Sequence, residues 1–232
     1  MLEHVPFQAL LDRSESIPEF AVEQFDISYV PSATYLTTMR KRKIKPARSI
    51  FTAAPDIQSL PFTEKEVKEI PYDFFNRHQT LLGPSASSGR INHSINQFDI
   101  FHFAGHIDIN RWFPLSSKIL FSDRPVNLFE FLDDQLDLIL VVLSACESGY
   151  ISNGQTDQKN FEYFNGFSRA FLAKGARNVI SSRWLVEDES TSNIMRNFYD
   201  QLVEKDFIEN HSGKHKEPYF TIALNEAQRM YI

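Results

Sequence analysis

Apolar runs alternate with helical patterns along most of the chain. Residues 25–30 (FDISYV) read as a strand, and a polar helical stretch follows to about Lys43. Residues 48–54 (RSIFTAA) read as a second strand, closed by Pro55. Thr63 and Glu66 have the spacing of a capping box for a helix that carries Val67 and Ile70. Pro71 should end or kink that helix, since proline removes a backbone donor and clashes with the preceding turn. Residues 98–104 (FDIFHFA) and 137–145 (DLILVVLSA) read as the third and fourth strands. The fourth is apolar on both faces, as strands covered by helices on both sides of a parallel sheet are. Phe164, Phe167 and Phe171 recur at helical spacing, with Gly175 placed to cap the helix end. A fifth strand is predicted over 177–183, and Ile194, Phe198 and Leu202 mark one face of another amphipathic helix.

Strands that alternate with helices predict an α/β fold with a mostly parallel central sheet. Ligands of such sheets bind at the carboxyl ends of the strands. The third predicted strand runs out into Gly105-His106, and the fourth into Cys146, Glu147, Ser148 and Gly149. If the two strands are parallel, topology brings His106 and Cys146 to the same sheet edge although they lie far apart in sequence. A thiol nucleophile needs such a neighbour. Free cysteine, with a pKa near ~8.5, is mostly protonated at neutral pH, and an imidazole can take its proton or pair with the thiolate. The backbone N–H groups of Gly105 and Cys146 are candidates for an oxyanion hole. The competing reading treats Cys146 as a small core hydrophobe and His106 as structural. His102, four residues earlier, reads as a core or supporting histidine.

Composition narrows the setting. The chain has 232 residues, enough for one α/β domain with a full core, and 21 of them are phenylalanine, which supplies bulk for it. A single cysteine excludes an intramolecular disulfide. No apolar stretch reaches the ~18 residues of a membrane span, and residues 1–12 lack the pattern of a signal peptide. A cytoplasmic protein with no membrane partner is the expectation. The net charge of −6 gives nucleic acid no general attraction, so direct binding is not expected. A basic island from Arg40 to Arg48 reads as a solvated surface or a docking patch. No Cys/His cluster accompanies His102 and His106, so no metal and no other cofactor is expected. His211 and His215 read as solvated loop residues, and the polar loop from Tyr150 to Asn160 as a connector or a border of the substrate groove.

Phe101-His102-Phe103-Ala104-Gly105-His106 is similar to the histidine block of CHAT domains, and Leu143-Ser144-Ala145-Cys146-Glu147-Ser148-Gly149 resembles their cysteine block. The segments 166–172 and 175–180 are similar to the helix and strand that follow, and Trp184, Asp188, Thr191, Phe198-Tyr199 and Leu202 continue the pattern. The resemblance covers roughly residues 25–230, which leaves residues 1–24 as an N-terminal extension or linker and residues 25–232 as the domain. It implies a caspase-like three-layer α/β/α sandwich related to caspases and separase. It also implies peptide-bond hydrolysis, with Cys146 as nucleophile, His106 as general base, and Gly105 and Cys146 as oxyanion donors. The family often sits beside TPR or other sensor modules in prokaryotic signalling or defence, so a sensor partner is expected beside the protein or peptide substrate. The sequence departs from the family pattern in Ile107, where glycine usually follows the histidine, in Pro71, and in ending at Ile232 without the usual last strand. Glu147, Glu187 and Asp188 fall near strand exits, and Glu147 and Asp188 are candidates for an acidic pocket that takes a basic P1 residue. Asp188 is equally a candidate N-cap for the helix that follows it. A non-catalytic interaction domain, or another thiol-dependent hydrolase or acyltransferase on the same sheet, are the alternative functions.

Overall fold

The computed structural model describes residues 5–14, 17–42, 46–110, 113, 116–131, 135–147, 161–182, 187–212 and 219–232. The side chains of residues 40, 146–147, 161–166 and 205–212 lie outside that description. The chain divides into two compact units, one of residues 47–192 and one of residues 1–46 with 193–232.

In the unit that holds both chain ends, β1 (Leu11–Asp12) and β2 (Glu19–Phe20) pair antiparallel and lead into α1 (Ala21–Gln24) and α2 (Ala33–Arg40). The strand predicted over 25–30 does not form. Phe25 and Val30 are exposed, and among the described residues no strand pairs with the segment. Tyr29 instead anchors it locally, its hydroxyl accepting from the Phe7 N–H at 2.8 Å and lying 2.7 Å from Gln8 Oε1. The helix predicted after it is α2, with Ser32 Oγ accepting from the Tyr35 N–H as its N-cap.

The central unit is built on a parallel sheet. Its elements run β3 (Ser49–Ala54), α3 (Pro61–Lys68), β4 (Arg77–Leu82), α4 (Ser88–Ser94), β5 (Ile100–Asp108), β6 (Lys118–Leu120), β7 (Pro125–Asn127), α5 (Leu128–Phe131), β8 (Leu140–Glu147), α6 (Phe161–Ala173) and β9 (Asn178–Ser181). Strands β4, β3, β5, β8 and β9 pair in that order, all parallel. The antiparallel β6–β7 hairpin joins β5 beyond the end of β3, through Ile107↔Ile119 and Asp108↔Lys118. Two further helices, α7 (Asp188–Ser212) and α8 (Phe220–Arg229), close the chain, and only the first residues of α7 belong to the central unit.

Strand side chains alternate between faces, and each face carries a different chemistry. One holds Phe51, Ala53, Phe101, Phe103, Val141 and Leu143, packed with Ile91 and Ile95, Phe131, and Phe167 and Phe171 of α6. Its aromatic rings run in a chain: Phe51 to Phe101 at 5.7 Å, Phe101 to Phe131 at 6.3 Å, and Phe131 to Phe171 at 6.2 Å. Each such ring removed from water contributes about 1.5–3 kcal/mol, which is where the abundant phenylalanine goes. The other face carries Ala54 and Ala104 against Val67 of α3, and it also buries His102, Ser144 and Thr52. Helices on both faces give the three-layer α/β/α arrangement expected from the sequence.

Two local devices fix this frame. Asp99 Oδ2 accepts from the N–H groups of Arg48 and Ser49, both at 3.0 Å, and from Ser49 Oγ at 2.8 Å. That ties the amino ends of β3 and β5 in register. Gly175 ends α6 as predicted: its N–H bonds Leu172 O at 3.2 Å, and Ala176 N–H bonds Phe171 O at 3.1 Å. Its φ is +120°, and a Cβ there would sit 2.2 Å from the carbonyl oxygen of Leu136, so glycine is required twice over.

Several boundaries differ from the sequence reading, among them β9, which spans Asn178–Ser181 rather than 177–183. β5 runs on to Asp108 rather than stopping at 104, because Ile107 is buried and the β6 edge continues the ladder. β8 spans Leu140–Glu147 rather than 137–145. α3 starts at Pro61, so Thr63 lies inside the helix with its Oγ1 bonded to Leu60 O at 2.7 Å, and Glu66 does not serve a capping box. The helix ends at Lys68, before Pro71. No helix among the described residues is long and apolar enough to cross a membrane.

Candidate active site

β5 and β8 are adjacent and parallel, and their register pairs His106 with Cys146. Neighbouring strands lie about 4.8 Å apart, so the two backbones are held side by side at the carboxyl end of the sheet. The same register pairs Gly105 with Ala145 and Ile107 with Glu147. His106 and Cys146 stand one pair before the end of the β5–β8 ladder rather than in the loops beyond, a consequence of the longer β5 and β8. Glu147 closes β8, and its side chain and that of Cys146 lie outside the described residues. So do His215 and the loop from Tyr150 to Asn160, while His211 falls within α7 rather than in a loop.

His106 sits between two neighbours. β8 lies on one side, and on the other is the loop that leaves β3. From that loop Ser59 Oγ lies 3.0 Å from His106 Nε2, and Asp56 Oδ2 lies 3.6 Å from it. Asp56 also accepts from Ser59 Oγ, from the Ser59 N–H at 3.0 Å and from the Gln58 N–H at 3.2 Å. The Ser59 hydroxyl, with the Ser59 and Gln58 N–H groups and His106 assisting, holds the Asp56 carboxyl below its ordinary 3.8. An acid depressed in this way contributes stability above pH 3.8 and loses it as the pH falls through the lower folded value. The other ring atom, His106 Nδ1, is buried and has no hydrogen-bond partner among the described residues.

Gly105 is buried, and a Cβ there would meet the Phe103 ring at 3.0 Å and Pro55 Cδ at 3.4 Å. Close packing therefore favours glycine at this position independently of any oxyanion role, since an added Cβ would push on the Phe103 ring. His102 is fully buried below the site, with Nε2 2.7 Å from Glu66 Oε1. Glu66 Oε2 accepts from Ser144 Oγ at 2.9 Å. One α3 carboxylate thus joins β5 and β8 a short distance below the pair His106 and Cys146.

Asp188 opens α7, but its carboxylate caps a different helix: Oδ2 accepts the Phe62 N–H at the start of α3, at 3.0 Å. Burial raises its pKa above 3.8 and Glu66 adds to that, while the Phe62 N–H and His106 oppose it. Asp188 is thereby within electrostatic reach of both His106 and Glu66. Sequence reasoning missed Asp56 and Ser59. Their one signal is an aspartate with a serine three residues on, just past a strand end. It also missed the pairing of Glu66 with His102, for which no sequence signal exists. Among the described residues no group of three His, Cys, Asp or Glu side chains could hold a metal.

No curated protein matches the chain. Among solved structures it is similar to the Arg-specific cysteine proteinase gingipain R, at 12% identity and a TM-score of 0.48, covering 77% of this chain and 40% of that one. The chain therefore spans well under half the length of gingipain R. The profile of the CHAT domain matches residues 1–228, nearly the whole sequence. The chain belongs to the CHAT domain family.

Proposed function

We propose that the chain is a cysteine endopeptidase in which Cys146 attacks the scissile carbonyl and His106 takes the thiol proton. The observation that carries this reading is the pairing of His106 with Cys146 on neighbouring parallel strands at the carboxyl edge of the sheet. Family membership and a buried His106 Nδ1 without a hydrogen-bond partner among the described residues support it. A bare ring nitrogen in such a place is costly, about 1–3 kcal/mol, unless the site uses it. The backbone N–H groups of Gly105 and Cys146 are the proposed donors to the developing oxyanion. After attack, the imidazolium returns its proton to the leaving amine, and water then releases the acyl group from the thioester.

Asp188, with Glu147, is the proposed acidic lining for a basic P1 side chain. Asp188 spends only Oδ2 on Phe62, and no hydrogen bond to Oδ1 occurs among the described residues. An incoming guanidinium would restore the charge partner that burial withholds from it. The protein substrate is taken to be cleaved under control of a sensor partner in a prokaryotic signalling or defence setting, in the cytoplasm.

Matched fluorogenic peptides with Arg, Asp or Met at P1 test both parts. Cleavage is expected to be fastest for Arg, by up to ~5-fold over Met, the worth of one charge pair at a partly exposed site. Equal rates would remove the acidic pocket and leave the peptidase. Failure to cleave any of the three, together with an unreactive Cys146, would favour the interaction-domain reading.

A further inference from the structure

The geometry points to Asp56 and Ser59 as a relay that fixes His106 as its Nε2–H tautomer and leaves Nδ1 as the basic atom. This deepens the peptidase reading and rests on it for its catalytic meaning.

The argument is a count of protons. Ser59 Oγ has one hydrogen and two close neighbours, Asp56 Oδ2 and His106 Nε2. An ionised carboxylate can only accept, so the serine hydrogen goes to Asp56. What Ser59 then presents to the ring is a lone pair, and only an N–H on Nε2 can meet it. Asp56 Oδ2, 3.6 Å from the same nitrogen, favours the same proton position. The Asp56 carboxylate is itself held by the N–H groups of Gln58 and Ser59, a turn that follows directly from β3 and Pro55. With the proton confined to Nε2, the neutral ring has its lone pair on Nδ1, the buried atom without a partner among the described residues. When a thiol proton arrives there, the imidazolium has N–H groups on both sides, and its charge faces Asp56 through Ser59.

Asp56 and Ser59 contact His106 Nε2 and are proposed to act through His106, as positioning residues. Ser59 is exposed and the Asp56 side chain is 42% exposed, so water competes with the relay. Its contribution is therefore expected near the low end of general-base effects, about 10- to 100-fold in kcat with KM little changed.

The test is the imidazole 15N spectrum of His106 in the 15N-labelled chain at a pH where the ring is neutral. Wild type is expected to show a protonated Nε2 and a bare Nδ1. Ser59→Ala removes the acceptor and should give a tautomer mixture. Asp56→Asn lets Ser59 donate to the ring and should move the proton toward Nδ1. Ser59→Thr keeps the hydroxyl and should keep the wild-type spectrum and kcat. Thermal unfolding of each variant, read alongside, separates a shifted tautomer from a loosened fold. A wild-type ring protonated on Nδ1, or spectra of Asp56→Asn and Ser59→Ala that match wild type, would overturn the assignment. If the tautomer shifts as expected while Cys146 alkylation ignores His106, the relay stands and the peptidase reading falls.

Discussion

Cys146→Ala is expected to lower peptide cleavage by at least ~10³-fold, and His106→Ala by a similar factor. The double variant should be little worse than either single one, because a nucleophile and its base act as a unit. A thiol without its base reacts slowly, since little of it is ionised at neutral pH. An imidazole without its thiol has no nucleophile to activate. The register that places the two side by side is set by the sheet, so neither substitution should disturb the fold. Initial rates on the best of the three P1 peptides, with unfolding curves as a control, decide the matter. Single variants that each retain a tenth or more of the wild-type rate would contradict the pairing. So would strictly additive losses.

Glu66→Ala is expected to destabilise the protein by about 3–5 kcal/mol, the cost of breaking a buried charged or strongly polar pair by removing one partner. Glu66 is 1% exposed and holds His102, which is fully buried, together with Ser144. Alanine would remove a hydrogen-bond partner from each and open a cavity under α3. Glu66→Gln keeps the shape and one acceptor, so its loss should be smaller. Urea unfolding midpoints at constant slope measure the difference. A Glu66→Ala protein within about 1 kcal/mol of wild type would show that the cluster adds little to the β5–β8 ladder. Ser144 and His102 lie on the strands that carry Cys146 and His106. Folded Glu66→Gln is therefore also expected to cleave more slowly, through displaced strands rather than lost chemistry.

The parts of this fold that were legible in the sequence are those written in long local patterns. The run 137–145 is apolar on both faces and became the interior strand β8, and Phe167, Phe171 and Gly175 gave α6 and its end. The pair His106 and Cys146 followed from two strand ends and one topological rule. Elements whose apolar pattern is weak were not legible. β4, RHQTLL, has an edge pattern with polar residues at four positions, and the β6–β7 hairpin is only three residues on each side. Segment 25–30 has strand composition but pairs with no strand among the described residues, so propensity alone misled. The wrong capping box at Thr63 and Glu66 has the same root. The local spacing was right, but a tertiary demand, the buried His102, claimed the glutamate. Asp188 lies within electrostatic reach of His106, yet the helix it caps is α3, more than a hundred residues away in sequence. Contacts of that range leave no local trace.

The rate of Cys146 alkylation by iodoacetamide, measured from pH 5 to 9 in wild type and in His106→Ala, tests the central claim most directly. A wild-type midpoint well below ~8.5 that rises toward that value on loss of His106 is the result expected of a coupled thiol and imidazole. A thiol that is unreactive, or a midpoint that does not move when His106 is removed, would contradict it.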